Sequence, residues 1–199
     1  MTTDARTINP HTLDLHPWAV DLSTLHAQIW SRLTRGVRDR HAPARHPTFA
    51  TVSPDGWPEA RTVVLRAANE TDGTLDIHTD LRSAKVTALR INPRAAIHIW
   101  DGSAHLQTRM DVLVTILTGE AAASYWEKLP EQGRLNYGTT PAPGGPIADS
   151  LDYVKQPDQS IYAVLRCSVQ AIDAVHLGPQ HRRARFDYAN GRAGQWLVP

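Results

Sequence analysis

The chain has 199 residues, 41% of them hydrophobic, and a formal net charge of +1. That length supports a real core, and the ordinary usage of glycine (12) and proline (14) excludes a disordered or collagen-like chain. The near-zero charge excludes a molecule that attracts nucleic acid as a whole, and no apolar run reaches the length of a membrane helix.

Residues 1–20 carry Pro10 and Pro17, show no periodicity and read as an N-terminal arm. Residues 1–9 lack a hydrophobic signal core, so a soluble, cytoplasmic protein is expected. Leu22, Leu25, Ile29 and Leu33 then recur at helical spacing, which predicts a helix with one apolar face. Asp21 or Ser23 caps it, and it ends near residues 36–40. A linker at 43–47 precedes two strands, 48–52 and 60–67, joined by Ser53-Pro-Asp-Gly-Trp-Pro58. Proline presets φ there and glycine permits φ > 0, so this is a hairpin. A turn at 69–73 leads to a strand at 74–79, followed by a short helix at 83–91 that stops before Asn92-Pro93.

Strands at 95–100 and 106–117 come next. A short helix at 121–129, a helical turn near 131–137 and a Pro/Gly-rich loop at 139–146 follow. The last strand spans 162–172, and the tail from 176 is basic, then aromatic. Cys167 lies in an apolar stretch and reads as a buried small hydrophobe. The class expected is mainly β with peripheral helices (α+β), an antiparallel barrel in one domain over 1–199. No alternating strand–helix series with glycine-rich turns suggests a doubly wound dinucleotide fold. The ten histidines show no metal-ligand spacing, and the six tryptophans read as core or interface.

The densest chemistry lies between Arg61 and Pro93. Eighteen of the 21 basic residues are arginines, which suits bidentate anion contacts; an arginine-rich genome explains the count equally well. Arg61 and Arg66 lie five apart, so strand alternation puts them on opposite faces unless a bulge or strand end intervenes. Asp80-Leu-Arg-Ser-Ala-Lys85 turns from strand to helix. Helix N-terminal amides lack internal partners, so Ser83 and Lys85 there make a phosphate cradle. An exposed lysine costing a few tenths of a kcal/mol is the alternative.

Arg61-Thr-Val-Val-Leu-Arg66, His78-Thr-Asp-Leu-Arg-Ser-Ala-Lys85 and Leu89-Arg-Ile-Asn-Pro93 resemble the core of the pyridoxamine 5'-phosphate oxidase-like, FMN-binding split-barrel family. Trp100, Leu106-Gln-Thr-Arg109, Gly119 and Arg185-Phe-Asp-Tyr188 extend the resemblance over most of 48–190. It implies a split barrel, FMN as cofactor and a homodimer with flavin at the subunit interface. It implies that Arg61, Thr62, Val63, Val64 and Arg66 line the flavin-binding strand, and that His78 and Thr79 approach the phosphate or ribityl chain. Ser83 and Lys85 match phosphate ligands; Ala84 replaces an arginine, leaving Arg82 to take its place at the phosphate. Gln107 matches the glutamine on the isoalloxazine ring, and Arg185 an arginine near the flavin.

The resemblance departs from the oxidase itself at the substrate. Arg66 stands at its substrate lysine and Tyr125 fits its tyrosine, but Leu129 and Gly133 stand at its arginine and serine. Its Arg-x-His falls at His181 and Arg183, inverted, and His176 is nearest its flavin-stacking tryptophan. The resemblance therefore implies an FMN-dependent oxidoreductase with an altered substrate site, Tyr125 and Arg183 being candidate substrate contacts. A non-catalytic flavin carrier or sensor is the alternative. A metal, a nucleic-acid partner and a membrane partner are not expected.

Overall fold

The computed structural model describes residues 16–199; most of the expected N-terminal arm lies outside them. A 3-10 turn at Pro17–Val20 leads into α1 (Leu22–Arg38). Of the two candidate caps, Asp21 serves: its carboxylate accepts the Thr24 N–H at 2.8 Å, satisfying one otherwise unpaired amide. Leu25, Ile29 and Leu33 are buried as the spacing demands, and Trp30 joins them. Gly36 sits inside the helix. A Cβ there would lie 2.7 Å from the Ala44 carbonyl carbon, so the glycine permits close packing against the 3-10 turn at Pro43–Arg45.

β1 (Thr48–Val52) and β2 (Pro58–Thr62) form the expected hairpin. The single strand expected over 60–67 is instead two. The chain leaves β1 after Thr62, Val63 donates its N–H to Pro47 O at 3.0 Å, and β3 (Leu65–Asn69) pairs with β4 (Thr74–Asp80). A change of partner strand forces that break. The β3–β4 register shifts between Leu65 and Ala67, so Arg66 occupies a bulge, where side chains are re-aimed.

α2 (Ala84–Ile91), β5 (Arg94–Asp101) and β6 (Leu106–Leu117) follow, then α3 (Glu120–Glu127) and α4 (Glu131–Arg134). Within the expected 139–146 loop, β7 (Thr139–Thr140) pairs with β8 (Val154–Lys155) in a small ribbon. β9 (Tyr162–His176) runs four residues past its expected end. The tail, expected without regular structure, forms β10 (Arg182–Asp187) and β11 (Ala193–Leu197), which extend the main sheet.

The main sheet runs β11-β10-β9-β6-β5-β1-β2, and β4, carrying β3, also pairs with β9. β9 pairs with β6 along nearly its whole length. Its other edge is shared: residues 162–168 pair with β4 and 171–176 with β10. The sheet divides there, at Gln170, which leaves an antiparallel split barrel with peripheral helices. Phe49, Leu75, Ile97, Met110, Leu165 and Ile172 fill the interior. Cys167 is fully buried, as expected, and burial pushes its thiol pKa up. A second apolar cluster lies outside the barrel, where Ala122 and Trp126 of α3 meet Tyr137, Tyr162 and Val164.

Candidate functional site

The β4-to-α2 turn brings together three of the expected residues. Lys85 Nζ donates to Thr79 Oγ1 at 3.0 Å, and Thr79 Oγ1 lies 3.2 Å from Ser83 Oγ. Ser83 is the α2 N-cap residue, yet its side chain does not cap the helix; its hydroxyl donates to Asp80 O at 2.8 Å. The amide end of α2 therefore has no side-chain cap and no acidic residue in its first turn. Burial, and then the charge of Arg61, hold the Lys85 pKa below its ordinary value, with Asp80 opposing.

Arg61 approaches this group from β2. It donates to Thr51 Oγ1 at 2.7 Å, to the carbonyls of Phe49 and Glu59, and to Glu59 Oε2 at 2.7 Å. Arg82, expected to stand in for the arginine that Ala84 replaces, is engaged elsewhere. It forks onto Asp80, with Nε and Nη2 at 3.0 and 2.7 Å from the two carboxylate oxygens, and Nη2 also reaches Thr139 O at 2.9 Å. Among the described residues no carboxylate lies in ion-pair reach of Lys85. Two cations side by side, one half-buried and both near a positive helix end, repel one another unless an anion sits between them. The residues present thus fit a phosphate monoester. Thr62 lies exposed at the end of β2, and Val63 and Val64 form the link to β3.

Arg66 and His78 belong to a different group. Thr79 and His78 are consecutive on β4, so their side chains leave opposite faces. The His78 ring packs edge-on against Tyr162 and Tyr125, with centroids 5.3 and 5.9 Å away. Arg66 reaches the same group: its charge acts on His78, Tyr137 and Tyr162. Burial first, and Arg66 second, lower the His78 pKa to about 4. Tyr125 is already held by Arg166, whose guanidinium forks onto Asp76 at 3.1 Å on both arms.

A third group lies on the outer face of the sheet. Gln107, Arg109 and Asp111 alternate along β6. Arg185 pairs with Asp111 at 3.5 Å, and Arg183 forks onto Asp173 at 3.1 and 2.7 Å. Arg183 and Tyr125 therefore belong to separate groups. His176 is buried at the end of β9, 3.0 Å from the His16 ring nitrogen.

Sequence reasoning does not reach Tyr137, Tyr162, Arg166 or Asp76. Period-two alternation puts His78 and Asp76 on one face of β4, and Tyr162, Val164 and Arg166 on one face of β9. The pairing of those two strands is a long-range fact that the local pattern does not contain.

The model of the pyridoxamine 5'-phosphate oxidase FMN-binding domain matches residues 17–118. The chain belongs to that family. FMN is accordingly the cofactor of its domain. A pyridoxine/pyridoxamine 5'-phosphate oxidase of Microcystis aeruginosa is 33% identical over 103 residues, covering 52% of this chain and 47% of that protein. A second such oxidase, from Arabidopsis thaliana, is 26% identical over 183 residues, covering 83% and 92%. The chain spans about half the length of the first of these relatives or less. A solved FMN-binding protein related to pyridoxamine 5'-phosphate oxidase, from Nostoc punctiforme, superposes with a TM-score of 0.71 at 25% identity, covering 94% of this chain and all (100%) of that one. This FMN-binding family member thus has the split barrel expected of it.

Proposed function

We propose that the protein is a cytoplasmic, FMN-dependent oxidoreductase in which Arg61, Thr79, Ser83 and Lys85 hold the flavin phosphate. The observation that carries the reading is Lys85: half-buried, beside Arg61, at an uncapped helix N-terminus, with no carboxylate partner among the described residues. FMN, when bound, supplies a ring that exchanges an electron pair with a substrate. The chain's own residues bind and orient it. Lys85 and Arg61 neutralise the phosphate, Ser83 and the first α2 amides donate to it, and Gln107 and Arg185 face the ring from the sheet surface. Thr62, Val63 and Val64 border the cofactor where β2 gives way to β3.

The purified protein should absorb near ~450 nm, and a colourless preparation that takes up no added FMN would sink the proposal. Lys85→Ala removes a charged hydrogen bond of about 1.5–3 kcal/mol. FMN binding should weaken by roughly 10- to 100-fold while riboflavin binding stays unchanged, as calorimetry with the two flavins would show. Equal losses would remove Lys85 from the phosphate.

We expect no efficient oxidation of pyridoxamine 5'-phosphate. Leu129 and Gly133 stand at the oxidase's arginine and serine, and Tyr125 is already engaged by Arg166. That engagement also favours a second reading, a flavin carrier or sensor without turnover. Reduction of the bound flavin by NADH or NADPH separates the two: a yellow protein that neither donor reduces is the carrier.

A further inference from the structure

Three buried side-chain atoms that lack a hydrogen-bond partner among the described residues fall in one place: Arg66 Nε, His78 Nδ1 and Tyr162 Oη. Buried polar groups almost always find partners, so a cluster of unpartnered ones marks a missing occupant. Tyr162 is only 1% exposed, and an isolated buried phenol would be better replaced by phenylalanine unless its hydroxyl serves something. Tyr137 and Trp126 wall it in, with ring centroids 5.0 and 5.3 Å from it. Arg66, His78 and Tyr125 are only partly buried, so the group is open on that side.

We propose that Arg66, His78 and Tyr162 form a site for one carboxylate group of a small organic acid, on the face of β4 opposite the phosphate cluster. The charge balance selects the ligand. Arg166 is neutralised by Asp76 at 3.1 Å, which leaves one guanidinium, one phenol and one imidazole as donors. Arg45 adds positive charge nearby, but its Nη1 donates to the carbonyls of Gly36, Val37 and Leu65. One guanidinium and neutral donors suit a monoanion. The phosphate cluster differs in kind, with two cations and two hydroxyls. The neutral imidazole takes whichever tautomer puts its proton on Nδ1, toward the carboxylate.

Calling that acid a substrate rests on the flavin reading; the binding itself does not. The test is calorimetric titration of the FMN-loaded protein with benzoate, acetate and inorganic phosphate. Benzoate or acetate should bind saturably and phosphate at least tenfold more weakly. Tyr162→Phe should weaken carboxylate binding about tenfold, leave FMN affinity unchanged and melt no lower than wild type. Lys85→Ala should do the reverse, weakening FMN and leaving the carboxylate alone. Equal or tighter phosphate binding, an unchanged carboxylate affinity in Tyr162→Phe, or a marked fall in its melting temperature would each overturn the proposal. So would the absence of saturable carboxylate binding, which would leave the three atoms to an ordered water. If the protein takes up no FMN, the same titrations on the protein as purified still decide this site, so the two readings fail separately.

Discussion

Single side chains tie the tail and the barrel together. Tyr188 closes the arginine–phenylalanine–x–tyrosine motif near the C-terminus, and its hydroxyl accepts the Trp30 indole N–H at 2.7 Å while lying 3.0 Å from His26 Nε2. The motif is legible in the sequence as a family mark; its physical task, holding α1 against the last strands, is not. Trp30 is 0% exposed, so Tyr188→Phe strands a buried donor. The expected loss is about 1–3 kcal/mol, measured by urea unfolding. His78 gives a pH dependence of definite sign. Its folded pKa of about 4 lies below the ordinary histidine value of 6.5. Between those values the unfolded chain takes up a proton that the folded chain refuses, so stability rises with pH across that window. Burial lowers the His26 pKa as well, adding to the same slope. His78→Gln should remove part of the loss between pH 6.5 and 4 in unfolding curves, and an unchanged slope would rule His78 out as its source.

At the scale of elements, what the sequence shows is local and what it hides is pairing. The turn from Thr79 to Lys85 is readable because a strand end, a serine and a lysine follow within a few residues. The relation of Arg61 to Arg66 is not. Alternation alone sets them on opposite faces, and the structure keeps them in separate groups by breaking the strand at Val63–Val64 and bulging at Arg66. The resemblance treats the two as a pair; the fold gives one to Lys85 and the other to His78. The seating of α1 is equally hidden, since a glycine near a helix end reads as a terminator. Gly36 is instead a contact point with Ala44. Gly36→Ala should lower the melting temperature through a cost of about 1–3 kcal/mol, because the atoms it meets include backbone that cannot swing aside. A variant that melts like wild type would show that the Pro43–Arg45 turn can yield.

Across the whole molecule, the outer sheet face carries a groove lined by Ala50, Val52, Ala95, Ala96 and Leu113, with Val52 42% and Leu113 39% exposed. A second copy covering that face, as the family resemblance implies, should give light scattering near twice the mass of one chain. Asp111, beside the groove, is also the partner of Arg185. Val52→Asp should therefore shift the protein toward monomer and weaken flavin binding together; a monomer with full flavin affinity would separate the two. Composition and turn chemistry are enough to read an antiparallel barrel with short helices. The extension of the sheet by the tail is not readable, because a segment as charged as residues 181–187 looks solvated until its neighbours are known.

β9 is the one strand that belongs to both halves of the split barrel, pairing with β6 on one edge and with β4 and then β10 on the other. Nearly every residue it contributes is flanked, so its amides have no local route to solvent. They should be the last to exchange with deuterium, at the rate of global opening, while the β11 amides at the sheet edge exchange early. An occupant on β4 and a partner docked on the outer sheet would slow exchange in separate neighbours of the same strand, so β9 is where the two effects would add.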